Sequence, residues 1–188
     1  TGIPAELVSM PLTGATSPVT LAGAVTQHCA ESLSGIVIHQ LAHPGSPIIY
    51  GGSPACFDMR KGTTPMGAIE TMMIDGAYAE IGKYLGLPVQ AYMALSDSKL
   101  PDYQAGMETA MGAVIAALSG VNNVSGPGML DFESCQSLEK LVLDNEVCGM
   151  ALRLASGIEL RDDPIVTPEL MREGIERGSF LALAHTKR

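Results

Sequence analysis

Apolar residues in this chain gather into four short runs, at 8–12, 47–51, 89–95 and 121–125, each followed by a long stretch rich in Gly, Pro, Ser and Asp and then by helical spacing. The long stretches are 13–20, 52–65, 96–101 and 126–136. The returns from helix to strand need only 43–46, 86–88 and 119–120, each carrying a Gly of the kind that ends a helix. Short helix-to-strand turns and long strand-to-helix loops are the pattern of a (β/α) barrel, whose chemistry sits on the long-loop face. The expected fold is α/β, a parallel (β/α) TIM barrel of which four units, about half, are present.

The helical stretches carry apolar stripes: Leu33, Ile36, Val37 and Leu41; Ile69, Met72, Met73, Ala77 and Ile81; Met107, Met111, Val114, Ile115 and Leu118; Leu138, Leu141, Val142 and Leu152. Each stripe is expected to pack on the sheet. Four of the 11 Met residues fall on these stripes, which favours core filling over a binding groove. Gly157 closes the fourth helix and 161–164 reads as an exposed connector. Thr167 as N-cap, Pro168 at the first helical position and Gly178 then frame one more helix. The expected division is a half barrel over 1–160, with a connector and C-terminal helix or strand over 161–188. A half barrel leaves two sheet edges and an apolar interior uncovered. The chain is therefore expected to be completed by the rest of a longer protein or by a partner copy, as a homo-oligomer.

Composition narrows the setting. With 188 residues and 46% apolar, the chain can bury a substantial core. No run reaches the length of a membrane span and no signal-peptide pattern opens it, so a soluble, cytoplasmic protein without membrane contact is expected. A net charge of -9 would repel a phosphate backbone, which argues against nucleic acid as a partner. The four cysteines, Cys29, Cys56, Cys135 and Cys148, show neither zinc spacing nor a disulfide framework, so reduced thiols and no metal site are expected.

Candidate chemistry belongs to the strand ends and the loops after them: Thr13 and Ser17; Tyr50, Phe57, Asp58 and Arg60; Tyr92, Asp97, Lys99, Asp102, Tyr103 and Gln104; Asn123, Phe132 and Glu133. The chain holds only five Tyr and three Phe, yet Tyr50, Phe57, Tyr92, Tyr103 and Phe132 all fall there. Aromatic faces and nearby carboxylates such as Asp58 and Asp97 attract quaternary ammonium groups, although the same rings would also serve to cover a barrel mouth. Lys99 can form a Schiff base if desolvated, or sit solvated beside Asp97 and Asp102. The Gly126-Pro127-Gly128 turn lacks a phosphate-loop spacing and is followed by acids. His39 and His43 suit a helix C-terminus better than a metal, and the adjacent His28 and Cys29 point apart on a helix.

Four blocks carry a resemblance: 13–23 (TGATSPVTLAG), 44–51 (PGSPIIYG), 97–106 (DSKLPDYQAG) and 143–146 (LDNE). In this order they resemble the trimethylamine methyltransferase family, in the carboxy-terminal part of its longer chain. The resemblance implies a TIM-barrel enzyme that moves a methyl group from a methylated amine to the cobalt of a corrinoid carried on a partner protein, with no cofactor held tightly by this chain. Founding members use pyrrolysine; this chain has only standard residues and is more similar to the branch that includes glycine betaine demethylation, so a quaternary amine is the expected substrate. Tyr50, Phe57, Tyr92 and Tyr103 would then hold the ammonium, with Asp58, Asp97, Asp102 and Gln104 around it, and Arg60 or Lys99 would meet a substrate carboxylate. The readings left beside it are a Schiff-base lyase or aldolase using Lys99 and a non-catalytic assembly piece.

Overall fold

The computed structural model describes residues 2–159 and 167–186, in two compact units, Thr1–Ala155 and Ser156–Arg188. In the first unit, strand β1 (Ala5–Ser9) is followed by β2 (Leu12–Thr13) and helix α1 (Leu21–Ala42). Strands β3 (Ile48–Gly52) and β4 (Ala55–Cys56) then lead to α2 (Ile69–Tyr84), β5 (Gln90–Ala91) to α3 (Tyr103–Ser119), and β6 (Asn123–Val124) to α4 (Leu138–Ala155). A small antiparallel pair, β7 (Met129–Leu130) with β8 (Cys135–Gln136), folds within the last loop.

The strands run parallel in chain order. β1 pairs with β3, Ala5 opposite Ile48 through Ser9 opposite Gly52, a parallel bridge joins Tyr50 to Val89, and β5 pairs with β6. The described strands form an open array and do not close into a barrel. Between β3 and β5 a side chain supplements the ladder: the Tyr78 hydroxyl lies 3.1 Å from the Gly52 carbonyl and 3.0 Å from that of Gln90, stitching the two strands from α2.

Two strand expectations need correction. The first strand is Ala5–Ser9 rather than 8–12, because Pro11 has no N–H to give a ladder. The run at 89–95 pairs only over its first three residues, Val89 by a bridge to Tyr50 and Gln90–Ala91 as strand β5. Ala94 turns it with a φ of 61°, and Gly126 crosses so close that a Cβ there would lie 2.0 Å from the Met93 carbonyl oxygen.

The helix stripes need correction too. Leu33, Val37 and Leu41 on α1, Met107, Met111 and Leu118 on α3, and Leu138, Leu141, Val142 and Leu152 on α4 are exposed. Among the four Met of the stripes only Met72 is core. Ile36, Met72, Ile81, Val114 and Ile115 of the stripes do pack on the core, and beside them the buried faces carry many small or polar residues: Ala24, His28 and Ser32 on α1; Thr71, Asp75, Tyr78 and Ala79 on α2; Ala105, Thr109, Gly112, Ala113 and Ala116 on α3. Close approach requires it. A Cβ on Gly112 would stand 2.6 Å from the Ala94 nitrogen, and one on Gly82 2.5 Å from Val89 Cγ2.

Single residues cap the helices. Thr20 and Asp102 accept from the backbone N–H three residues on, and Gly120 ends α3 with a φ of 63°. In the second unit, Thr167 caps α5 (Pro168–Glu176), with Phe180 lying over Gly174 and Leu183 buried. The expected connector at 161–164 lies outside the described residues. Among those described, no helix is long and apolar enough to cross a membrane, and all four cysteines are free thiols.

Candidate functional site

The long loops knit together at the carboxyl ends of the strands. β2 pairs with β4, joining the first loop to the second. Asp97 joins the second to the third: its carboxylate accepts from Met66 N at 2.9 Å and Gly67 N at 3.0 Å. The fourth is tied to the third by Ser96 N to Met129 O and Asp131 N to Ser98 O. Asp58, Asp97, Lys99 and Gln104, with Lys61, Glu108 and Phe132, line a cleft of about 510 Å³ between these loops.

Asp97 organises the cleft. Ser96 Oγ and Asp97 N both donate to Glu108 Oε2, at 2.6 and 2.8 Å, placing a second carboxylate beside it. Burial is the main reason that its carboxyl rises to about 6; the Glu108 charge adds to this, and the two backbone N–H groups hold it back.

Behind the cleft the fourth loop makes an unusual turn. Asp131, Phe132 and Glu133 are all left-handed, with φ of 51°, 56° and 69°. None is glycine, and such residues cost roughly 1 kcal/mol each in this region. The turn brings Glu133 inward, where its Oε1 is buried without a hydrogen-bond partner. Desolvation first, and the Asp97 charge second, push its carboxyl up to about 7. Glu133 in turn adds to the burial that holds Asp75, on α2, well above the ordinary carboxylate range; Asp75 is 1% exposed and its Oδ1 also lacks a partner.

Polar side chains also gather on the strands around Gly51. A Cβ on Gly51 would lie 2.8 Å from Gln90 Oε1 and 3.0 Å from Glu6 Oε1, so these two side chains close over the Gly51 backbone. Gln90 Nε2 donates to Ser125 Oγ at 2.9 Å. Tyr92, half-buried, feels burial first and then the charges of Glu133 and Glu6, all raising its phenol. The fourth loop is anchored from below: Lys140 Nζ is bonded to Asp144 Oδ2 and, at 2.8 Å, to Thr109 Oγ1, while Asp144 Oδ2 accepts from Gly128 N at 2.7 Å. This ion pair is buried at both ends.

Several expected site residues lie elsewhere. Tyr50 is fully buried on the helix side of the sheet, against His28 and Tyr78, and is not part of the mouth. His28 stacks on Tyr78 with centroids 4.3 Å apart and its Nε2 donates to Gly51 O; burial drives it down to about 4, so it is a neutral core residue. Tyr103 begins α3 and is 85% exposed. Asp102 is occupied as the α3 N-cap. Arg60 is exposed in the second loop, its N–H held by Asp58 Oδ1. Phe57 is half-buried, its N–H directed to Thr13 Oγ1 at 3.4 Å. Lys99 does line the cleft, but it is largely solvated, 3.8 Å from Asp131. Among the described residues no group of His, Cys, Asp and Glu is arranged to hold a metal ion.

Glu6, Gln90 and Asp75 are the site residues that the sequence reading missed. The first two were visible in principle, because each is a polar residue between apolar neighbours on a strand, which alternation sends to one face. Asp75 is an acid on the covered face of α2.

Comparison with known proteins follows this geometry. The model of the family described as trimethylamine methyltransferase (MTTB) matches residues 1–188. Trimethylamine methyltransferase MttB of Methanosarcina barkeri (strain Fusaro / DSM 804) is 41% identical over 186 residues, covering 99% of this chain and 37% of its own length. Its namesake in Desulfitobacterium hafniense (strain DSM 10664 / DCB-2) is 35% identical, covering 98% of this chain and 37% of its own. Glycine betaine methyltransferase of Desulfitobacterium hafniense (strain Y51) is 35% identical over 183 residues, covering 97% of this chain and 38% of its own. The chain thus spans little more than a third of the length of these relatives.

Proposed function

This chain belongs to the trimethylamine methyltransferase family, and from that premise we propose that it forms part of a (β/α) barrel methyltransferase that takes a methyl group from a methylated amine, in particular a quaternary ammonium. The observation that carries the reading is the buried carboxylate of Glu133, unpartnered at Oε1 and beside Tyr92, at the carboxyl ends of parallel strands. A dry negative charge calls for a positive ligand. A quaternary ammonium has no N–H to offer, so a site for it needs charge and aromatic faces rather than aligned acceptors.

The order β1, β3, β5, β6, all parallel, with long loops gathered at one end, is what half of an eight-stranded barrel requires. The remaining strands would come from the rest of a longer chain or from another copy. Tyr92 and Phe132 supply aromatic faces, Glu133 and Glu6 supply charge, and the cleft above them admits the ligand. Lys61 and Lys99, both in the cleft wall, are the cations within reach of a substrate carboxylate such as that of a betaine.

A corrinoid on a partner protein is the methyl acceptor we propose; it would supply a nucleophile strong enough to need no acid or base from this chain. What these residues then do is bind the cation, orient one N–CH3 bond toward the acceptor and exclude water. The Schiff-base alternative finds no support at Lys99, because its side chain lies in solvent beside Asp131 and not in the desolvated pocket that such chemistry needs. The test is to mix the protein carrying this chain with glycine betaine and a reduced corrinoid protein and to follow methyl-cobalt absorbance together with dimethylglycine. Formation of both supports the reading; neither forming with glycine betaine, tetramethylammonium or trimethylamine rejects it.

A further inference from the structure

Glu133 stands in a line of carboxylates without an internal cation. Asp97 acts on it from the third loop, and it acts on Asp75 of α2. Tyr78 and Tyr92 face the same charges, together with Glu6 of β1. Lys99, in the cleft wall, is turned to Asp131. Two of these acids, Asp75 at Oδ1 and Glu133 at Oε1, have buried oxygens with no hydrogen-bond partner, and Glu133 is held inward by three consecutive left-handed residues. A carboxylate so placed stays neutral or meets a positive ligand.

We infer that Glu133 is a proton-exchange residue: an entering quaternary ammonium displaces its proton to solvent, and departure of the cation brings a proton back. The inference deepens the proposed function and rests on it. On binding, the carboxyl O–H bond breaks, the proton leaves to water and the carboxylate faces the ammonium. On methyl transfer the acceptor supplies the electron pair that forms the new bond to carbon, the C–N bond breaks and its pair stays on nitrogen. The ligand is then a neutral tertiary amine. Being a stronger base than a carboxylate, it takes a proton from water; when the resulting tertiary ammonium leaves, Glu133 loses its counter-charge and takes up a proton in turn, which restores the starting state. Asp75, deeper, stays neutral throughout, and Asp97, committed to the Met66 and Gly67 N–H groups, sets the field in which Glu133 titrates.

Calorimetric titration of the protein carrying this chain with tetramethylammonium chloride, in two buffers of different ionisation enthalpy, reads the proton directly. The expected result near pH 6 is release of about 0.5–1 proton per site, fading to about zero above pH 8.5. Glu133→Gln is expected to bind more weakly and release none. Binding with the same heat in both buffers at pH 6, or unchanged release by the Gln variant, overturns the inference while leaving the cation site intact. Absence of tetramethylammonium binding to folded protein at either pH overturns the inference and the site beneath it.

Discussion

Lys140 shows how little a residue's type says about its place. A lysine early in an amphipathic helix reads as solvated, yet its ammonium is buried against Asp144 and Thr109. Removing one partner leaves an uncompensated buried charge, so Lys140→Met is expected to cost about 3–5 kcal/mol, read as a lower melting temperature. Changing Lys140 to Met together with Asp144 to Leu should recover part of that loss. The acids of the site act in the opposite sense. Asp97 and Glu133 titrate near 6 and 7, above their ordinary 3.8 and 4.5, so the folded state keeps protons that the unfolded chain gives up. Their contribution to stability is present below about pH 4 and lost as pH rises through 6 to 7. His28 opposes them, since its depressed value makes its contribution present above about 6.5 and lost as pH falls toward 4. Glu133→Gln should therefore raise the melting temperature relative to the parent at about pH 8 and change it little at about pH 4; an equal shift at both would mean that Glu133 is not the strained acid. Tyr92 was legible as a strand-end aromatic. Tyr50 was equally legible and lies in the core, because strand alternation sends neighbouring side chains to opposite faces and the misplaced strand bounds hid which was which.

At the scale of elements, the helix ends at Gly120 and Thr167 were readable because a single residue decides each one, whereas Asp102, expected in the site, is the α3 N-cap. Helix orientation was not readable. The largest apolar residues were assumed to face the sheet, but the sheet-facing positions are chosen for size, as Gly82 and Gly112 show. The same close packing governs the crossing of Gly126 over Met93. Gly126→Ala would set a methyl group 2.0 Å from a backbone oxygen, and backbone cannot rotate away as a side chain can. A loss of about 1–3 kcal/mol is expected, with the fourth loop displaced. Faster hydrogen exchange at Asp131 N and Ser134 N, the donors that close the Glu133 turn, would show that displacement. Exchange unchanged from the parent would separate this crossing from the turn.

For the whole molecule, the open array of strands and the outward stripes make one argument. Val37, Ile38 and Leu41 on α1 and Leu138, Val142, Leu143 and Met150 on α4 are exposed, and apolar residues clustered on a surface mark contact sites. The 188-residue chain on its own is expected to associate, and sedimentation should find species heavier than 19.6 kDa; a lone monomer with one sharp melt would contradict this. The parallel order was legible from loop asymmetry, because connection length reflects topology directly. The acidic cluster was not, because Glu6, Asp75 and Glu133 come from distant parts of the chain and meet only in the fold.

The central claim is that the acids and rings at the strand ends select a methylated cation by its charge. Glycine betaine and 3,3-dimethylbutanoate have nearly the same shape and the same carboxylate, and differ in having nitrogen or carbon at the branch. Calorimetry with the protein carrying this chain, at about pH 8 where Glu133 is ionised, compares them directly. Cation–π and charge contacts worth about 2 kcal/mol together predict roughly 30-fold tighter binding of glycine betaine, a preference that Glu133→Gln should largely remove. Equal affinities for the two ligands would contradict the account.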